Sequence, residues 1–256
     1  MIPELISLGP LSVHSFGLMM VLTFVVGWKR LELSLEDHGY EGIHAEPMVF
    51  YAAIGGVVGA RVLFLIANFS VFLQKPLEMI FTGAGFIFYG GFIGGFLAVV
   101  YYLKKNSLPF LRMADIVAPS LAIGYGVGRI GCQLSGDGDY GKVSDLPWAM
   151  GYPLGAVPTS PGVLVHPAPI YESVAAFAIC WLLLKRTEAF SSKAGSLFGF
   201  YLILMSIERF LVEIIRIEPI IGSGLTQAQW IAIFIALAGL LFIFRPTGST
   251  TQKVEG

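Results

Sequence analysis

Seven apolar stretches, each about as long as a membrane span, alternate with polar segments along the chain. A transmembrane helix needs roughly 20 predominantly apolar residues. The stretches that approach or meet this length are residues 11–28, 47–67, 84–103, 114–132, 168–184, 195–217 and 226–244. Residues 133–167 are instead rich in Gly, Pro, Ser and Asp, which predicts a long polar loop. The pattern predicts an all-α integral membrane protein with seven transmembrane helices in a single domain, residues 1–256.

The composition supports a membrane protein. Only 13% of the residues are charged and 55% are hydrophobic, with a mean hydropathy of +0.76. Soluble domains carry about 25% charged residues. The net charge of -1 gives no reason to expect a nucleic-acid partner, and nothing in the sequence predicts a metal or a cofactor. The first ten residues contain no basic residue, so we expect the first span to be retained and not cleaved as a signal.

The basic residues predict the orientation of the seven spans, because cytoplasmic loops carry an excess of Lys and Arg. With seven spans, most of them fall on one side: Lys29, Arg30, Lys104, Lys105, Arg112, Lys185, Arg186, Lys193, Arg245 and Lys253. The opposite loops hold only Lys75 and Lys142. We therefore expect the N-terminus outside, the C-terminus inside, and residues 133–167 as an exterior loop between the fourth and fifth helices.

Several glycine pairs within the spans are four residues apart. In lipid, such pairs allow two helix backbones to approach closely. The pairs are Gly55 with Gly59, Gly90 with Gly94, Gly91 with Gly95, and Gly124 with Gly128. Residues 126–131 also fit the dinucleotide fingerprint G-x-G-x-x-G, but they follow no predicted strand, so we reject that interpretation.

Charged residues inside apolar spans are costly and mark either a site or a buried pair. They are Arg61, Asp115, Arg129, Glu172, Glu208, Arg209, Glu213 and Arg216. Arg209, Glu213 and Arg216 share one helix face, because they are four and three residues apart. A guanidinium binds phosphate in a bidentate manner, but it also pairs with carboxylates to connect helices. We favour the structural role for Arg61.

Residues 128–141, GRIGCQLSGDGDYG, combine Arg129 with glycines and two aspartates at the predicted end of the fourth span. Gly136 and Gly138 permit a positive φ and a close approach of the backbone. Asp137 and Asp139 either orient an arginine or a nucleophile, or are ordinary turn residues. Both interpretations of the two aspartates stay open.

These stretches resemble, in order along most of the chain, motifs of the prolipoprotein diacylglyceryl transferase family. Its signature Gly-Arg-x-Gly-Asn-Phe-x-Asn-Gly-Glu is similar to residues 128–137. Further resemblances lie at residues 59–61, 90–94, 147–150, 166–172 and 209–216. Seven spans with an exterior N-terminus are also that family's topology.

The resemblance implies transfer of the diacylglyceryl group of phosphatidylglycerol to the lipobox cysteine thiol of a prolipoprotein, with release of glycerol phosphate. Its implied partners are phosphatidylglycerol and the prolipoprotein signal peptide, and its implied location is the bacterial cytoplasmic (inner) membrane. The implied catalytic residues are Arg129, Arg209, Tyr89 and Asp137. The implied substrate-binding residues are Arg129, Arg209, Arg216, Glu213, Gly90, Gly91, Gly136 and His166. With the resemblance, we favour phosphate binding for Arg129 and Arg209.

The chain also departs from the family pattern. Tyr89 replaces the histidine often given the role of base, and a phenol with a pKa of about 10 is a poor base unless cations depress it. Glu208 stands where an apolar residue is usual. Asp137 replaces the signature glutamate, so we expect it to bind Arg129 or Arg216. Asp139 lies at a one-residue insertion, so we expect its neutralisation to be nearly silent.

The departures leave the general base and part of the function open. His166 is a substitute base, or else a structural hydrogen-bonding residue. The alternative functions are a related lipid-headgroup transferase with another acceptor, and a transporter of a small anion or lipid. The sequence has no inverted repeat with interrupted helices, which argues against the transporter.

Overall fold

The computed structural model describes residues 1–8, 11–81 and 85–245, and these residues are mostly helical. The helices are α1 Ser15–Asp37, α2 Ala45–Ala67, α3 Phe69–Gln74, α4 Pro76–Phe81, α5 Phe88–Lys105, α6 Phe110–Ser135, α7 Ala168–Phe190, α8 Ser196–Glu213 and α9 Gln227–Phe244. Within the described ranges, four segments are long and apolar enough to cross a membrane: Gly42–Ala67, Phe110–Ser135, Ala168–Phe190 and Gln227–Phe244. The fold is therefore that of a mostly helical membrane protein.

The count of seven spans and their orientation remain predictions. α8 holds Glu208, Arg209 and Glu213 within its 18 residues, which sets it apart from the four apolar segments. Residue 84, at the start of the third predicted span, and Lys253, used for the orientation, lie outside the described residues.

The first predicted span begins later than the sequence suggested. Strand β1, Glu4–Leu8, pairs antiparallel with strand β2, Leu11–His14, so residues 11–14 are a strand and not the start of a helix. The amide of Ser15 donates to the carbonyl of Pro3 at 2.9 Å, which ties the start of α1 to this hairpin. The helix then continues to Asp37, where polar pairs such as Lys29 with Glu32 stabilise it beyond the apolar stretch.

A second hairpin precedes α9. Strand β3, Ile220–Gly222, pairs with strand β4, Leu225–Thr226. Thr226 and Gln229 form a capping box: Thr226 Oγ1 accepts from the amide of Gln229 at 3.3 Å, and Gln229 Oε1 accepts from the amide of Thr226 at 3.1 Å. This box satisfies two amides at the start of α9.

The chain divides into two compact units, of which the first comprises the described residues within Met1–Gly27 and Ala114–Gly256. Small and apolar residues of α6, α7 and α8 make its core: Ala118, Ala122, Ile179, Cys180, Leu183 and Leu197. Helices α8 and α9 touch at Gly199 and Gly239, where an added Cβ would lie within 2.7 Å of the facing carbonyl oxygen. The buried carboxylate of Asp115 caps α8 by accepting from the amides of Gly195 and Phe198, at 2.6 and 2.8 Å.

The second unit, Trp28–Met113, is built on the packing of α2 against α5. An added Cβ at Gly59 or Gly94 would lie 2.3 Å from the carbonyl oxygen of Gly90 or Gly55, respectively. The predicted close packing of these glycine pairs is confirmed. Arg61 donates to the carbonyls of Met79 and Gly85, which agrees with a structural role, although these partners are carbonyls and not a carboxylate.

The segment between α6 and α7 is a loop held by backbone bonds. The amide of Lys142 donates to the carbonyl of Ile215 at 2.7 Å, and the amide of Gly141 donates to the carbonyl of His166 at 2.8 Å. Gly141 also forms a β-bridge with Arg216. These bonds fix the loop beside the end of α8, and they bring Asp139 to Arg216.

Candidate active site

Three helices and one loop direct charged side chains to a common place in the first unit. Helix α6 presents Tyr125, Arg129 and Cys132 on one face, because they are four and three residues apart. Glu172 comes from α7. The remaining members are Glu208, Arg209 and Glu213 of α8, Arg216 just after it, and Asp139 of the loop.

Glu172 joins the arginines of α6 and α8. Its Oε1 accepts from Arg129 Nη2 at 3.1 Å, from Arg209 Nη1 at 3.3 Å and from the hydroxyl of Tyr125 at 3.0 Å. Arg129 Nε in turn donates to the oxygen of Tyr125 at 3.1 Å. The Glu172 side chain is fully buried, so these donors provide the compensation that a buried carboxylate needs.

Arg216 completes the connection through two further carboxylates. Its Nη2 lies 2.8 Å from Asp139 Oδ1, and its Nε lies 3.8 Å from Glu213 Oε2. Asp139 Oδ2 also pairs with Arg129, and Glu213 Oε2 lies 2.7 Å from Arg209 Nη2. Three arginines and three carboxylates thus alternate in a closed circuit, which we call the ion-pair ring: Arg129, Glu172, Arg209, Glu213, Arg216 and Asp139.

The ring stabilises the ionised form of its loop member. Burial opposes ionisation of Asp139, but the hydrogen bond from Arg216 and the charges of Arg129 and Arg216 hold the pKa of its carboxyl below the ordinary value. The ring as a whole combines three guanidinium groups with three carboxyl groups.

The arginines differ in accessibility. The side chain of Arg209 is 27% exposed and that of Arg129 is 16% exposed, whereas that of Arg216 is 8% exposed. A guanidinium has five N–H donors, and the contacts of Arg209 with Glu172 and Glu213 engage only its two terminal nitrogens. Arg209 and Arg129 are thus the ring members best placed to bind an incoming anion.

The chain matches proteins that act on phospholipid. The family model described as "Prolipoprotein diacylglyceryl transferase" matches residues 3–245. The chain belongs to this family. It is 33% identical to the phosphatidylglycerol–prolipoprotein diacylglyceryl transferase of Clostridium tetani over 244 residues, which cover 94% of this chain and 96% of that protein. Similar enzymes of Chromohalobacter salexigens and Methylococcus capsulatus are 34% and 35% identical, over 93% and 94% of this chain and 90% and 92% of theirs.

Family membership confirms the resemblance stated from the motifs and makes the protein a transferase. These relatives support the diacylglyceryl transferase interpretation and give no support to the transporter or to a transferase with another acceptor. The roles of individual residues in this transferase stay predictions.

The aspartate that binds the arginines is Asp139 and not Asp137, so our prediction for this turn is wrong. Helix α6 continues past the predicted end of the fourth span at residue 132 to Ser135, and Gly136 and Gly138 then turn the chain with φ of 59° and 95°. This path carries Asp139 back to Arg129 and Arg216. Asp137 Oδ1 instead accepts from the amide of Asp139 at 3.3 Å, as a turn residue does.

A metal ion is disfavoured at the one cluster of suitable ligands found in the described part of the chain. The ligand atoms of Cys132, Asp137 and Asp139 lie within 4.8 Å of one another. However, Arg129 Nη1 contacts both Cys132 Sγ, at 3.6 Å, and Asp139. The guanidinium already supplies positive charge there, so this transferase needs no cation to hold Asp139.

His166 and Gly136 have structural contacts. His166 Nδ1 lies 3.5 Å from the hydroxyl of Tyr171, which accepts from Trp148 Nε1 at 2.7 Å. These contacts agree with the hydrogen-bonding interpretation of His166. An added Cβ at Gly136 would lie 2.7 Å from the Cα of Gly155, so packing within the loop already requires a glycine. Substrate binding by either residue remains a prediction.

Tyr89, Gly90 and Gly91 lie in the second unit. The Tyr89 side chain is about half exposed and its ring meets the edge of Phe88, with centroids 5.8 Å apart. Gly90 packs against Gly59, which explains the glycine without reference to a substrate. The roles of these three residues in catalysis and binding stay predictions.

Besides Asp139, sequence reasoning gave no role in the site to Glu172, Tyr125 or Glu208. Glu172 was noted as a charge in an apolar span and within the resemblance at residues 166–172. Tyr125 was not singled out, although it precedes Arg129 by one helical turn and therefore shares its face. Glu208 was named among the charges of the apolar spans and as a departure from the family pattern, but it was not assigned to the site; it is buried directly before Arg209 on α8. The signal for Tyr125 was helical spacing, and the signal for Glu208 was a charge in an apolar span.

Proposed function

We propose that this protein transfers the diacylglyceryl group of phosphatidylglycerol to the lipobox cysteine thiol of prolipoproteins and releases glycerol phosphate. The observation that carries the proposal is the convergence of Arg129 and Arg209, from two different helices, on one oxygen of Glu172. One carboxylate oxygen holds both guanidinium groups at a fixed separation. Together with the family match, this favours a preformed site for a phosphodiester.

The arginines serve the chemistry in a simple way. The thiolate sulfur attacks the glycerol carbon of the lipid, the bond from that carbon to the phosphate oxygen breaks, and glycerol phosphate leaves. Negative charge builds on the leaving phosphate, and fixed cations stabilise that charge more strongly than water does. The guanidinium groups of Arg129 and Arg209 can each donate two parallel hydrogen bonds to this phosphate.

Arg216 and Glu213 support the site, in this proposal, and do not bind the lipid. The Arg216 side chain is enclosed by Asp139, Glu213 and Glu218, with its Nη2 3.2 Å from Glu218 Oε1. Three carboxylates around one guanidinium leave it little capacity for a phosphate. Asp139 and Glu213, which both bind Arg216, also bind the other two arginines. Asp139 thus holds Arg129 in place, and Glu213 holds Arg209 in place.

We further propose the topology that the sequence predicts: seven spans in the bacterial cytoplasmic membrane, with the N-terminus and residues 133–167 outside. Both substrates are anchored in lipid, and exported prolipoproteins present their cysteine at the outer face. The four apolar segments and the excess of basic residues on one side of the predicted spans support this arrangement.

The proposal is tested by complementation of a bacterial strain depleted of its own diacylglyceryl transferase, scored by lipoprotein modification. We expect the protein to restore modification and Arg129→Lys or Arg209→Lys to abolish most of it, because lysine cannot make bidentate bonds. Arg186→Lys, at an exposed position of α7, is the matched control and should behave as the parent. Normal modification by a stably folded Arg129→Lys protein would rule out the phosphate role of that residue.

A further inference from the structure

Glu208 is a buried acidic residue that the ion-pair ring does not use. It lies on α8 directly before Arg209 and is 6% exposed. Neither of its carboxyl oxygens has a hydrogen-bond partner among the described residues. An ionised carboxylate buried without a donor is very costly, so such a group is held in its neutral, protonated form.

The surroundings of Glu208 reinforce this conclusion. Its charge interacts with that of Glu172 on α7, Arg129 on α6 and Arg209 on α8. It also interacts electrostatically with the hydroxyl groups of Tyr125 and Tyr201. The two arginines are already balanced by carboxylates of the ring. The Oε2 of fully buried Glu172 also finds no donor in the part of the chain that the structure describes. A second charge on Glu208 would therefore leave the cluster with surplus negative charge where an anionic lipid must bind.

We propose that Glu208 carries a proton in the resting protein and relays protons between the acceptor thiol and the leaving phosphate. The inference rests on the proposed function and adds a residue to it. Both carboxyl oxygens stand without partners, which is what a group needs if one oxygen is to accept a proton while the other donates one.

The relay balances the reaction without moving net charge into the buried site. In one concerted step, the S–H bond of the acceptor cysteine breaks and its proton passes to one oxygen of Glu208 while the other oxygen releases the proton that it holds. The sulfur forms its bond to the glycerol carbon, and the bond from that carbon to the phosphate oxygen breaks. The proton on the other oxygen of Glu208 passes to the leaving phosphate, so glycerol phosphate departs as a monoanion and Glu208 is neutral again.

The relay also fits the departures of this chain from its family. Tyr89 stands where the family has the histidine often given the role of base, and Glu208 stands where an apolar residue is usual. A carboxylic acid directly before Arg209 on α8 supplies this chain with a group that can both accept and donate a proton.

The test compares Glu208→Gln and Glu208→Met with the parent in nanodiscs that contain phosphatidylglycerol, using a peptide with a lipobox cysteine as acceptor. The amide and the thioether cannot relay protons, so we expect kcat to fall by about 100-fold or more, the usual contribution of acid–base catalysis, with little change in KM for the lipid. Glu208→Met removes an unpartnered polar group, so its melting temperature should equal or exceed that of the parent. Ser206→Ala, which deletes another buried polar atom of α8 without a hydrogen-bond partner in the described chain, is the control and should keep its activity.

An infrared difference spectrum between the parent and Glu208→Gln tests the resting proton without an activity measurement. We expect the carbonyl band of a neutral carboxylic acid at pH 7, and the bands of an ionised carboxylate would overturn the proposal. A folded Glu208→Met protein with the kcat of the parent would also overturn it. If the parent itself transfers no lipid to the peptide, the proposed function fails instead, and the spectrum still reports the proton on Glu208.

Discussion

Replacing Asp139 by Asn removes one negative charge from the ion-pair ring and keeps the size and shape of the side chain. Asp139 accepts charge-assisted bonds from Arg129 and from Arg216, the latter at 2.8 Å. The amide group of Asn retains one acceptor oxygen and turns an N–H donor towards the other guanidinium. One ion pair therefore becomes a hydrogen bond from a guanidinium to a neutral amide oxygen, and the other ion pair is lost.

The magnitude follows from these two bonds. A hydrogen bond to a charged group contributes about 1.5–3 kcal/mol, and one of the two is lost. The side chain of Asp139 is 31% exposed, so water replaces part of the lost interaction. We expect the free energy of unfolding to fall by about 1–3 kcal/mol in Asp139→Asn. If the transition state loses a similar amount of stabilisation by Arg129, kcat/KM falls by about 10- to 100-fold.

The assay measures transfer to a lipobox peptide in phosphatidylglycerol nanodiscs, together with thermal unfolding. Asp137→Asn is the matched control: its side-chain oxygen can still accept from the amide of Asp139, so stability and kcat/KM should stay close to those of the parent. A damaging Asp137→Asn and a silent Asp139→Asn would refute the ring and return the role to Asp137.

The same carboxylate gives a pH signature. The pKa of Asp139 is lower in the folded protein than in the unfolded chain. The ionised carboxylate therefore stabilises the fold fully above the pKa of the unfolded chain, about 3.9, and this stabilisation is lost as the pH falls through the pKa of the folded protein. The stability difference between the parent and Asp139→Asn should therefore shrink below about pH 4. A difference that stays constant down to lower pH would show that the charge of Asp139 is not what stabilises the ring.

Three further predictions concern other parts of the molecule. Asp115→Ala removes the cap of α8 and should lower the free energy of unfolding by about 1–2 kcal/mol, measured by denaturant unfolding; an unchanged value would contradict the capping role. Gly94→Ala places a Cβ 2.3 Å from the carbonyl oxygen of Gly55, so its melting temperature should drop well below that of Gly17→Ala, which meets nothing within 4 Å. Tyr89→Phe should reduce transfer and Tyr89→His should retain some, whereas parental rates in both variants would assign Tyr89 to packing.

The two aspartates show where sequence reasoning stopped. A comparison of motifs aligned Asp137 with the family's glutamate, because the one-residue insertion was placed after it. The choice between Asp137 and Asp139 depends on the φ angles of Gly136 and Gly138 and on where α6 ends. Glycine permits many backbone angles, so the residue type alone does not fix the direction of the turn.

Sequence alone determined the class of the protein and most of its helices, because apolar length and helical spacing are local properties of the chain. It also pointed to Arg129 and Arg209, since charge inside an apolar span is costly wherever the helix packs. The tertiary structure decided which carboxylates the arginines bind: Asp139 and Arg216 are 77 residues apart in sequence and meet only because the loop is bonded to the end of α8. It likewise left the carboxyl of Glu208 without a donor among the described residues, because hydrogen bonds across helices depend on packing that no local spacing encodes.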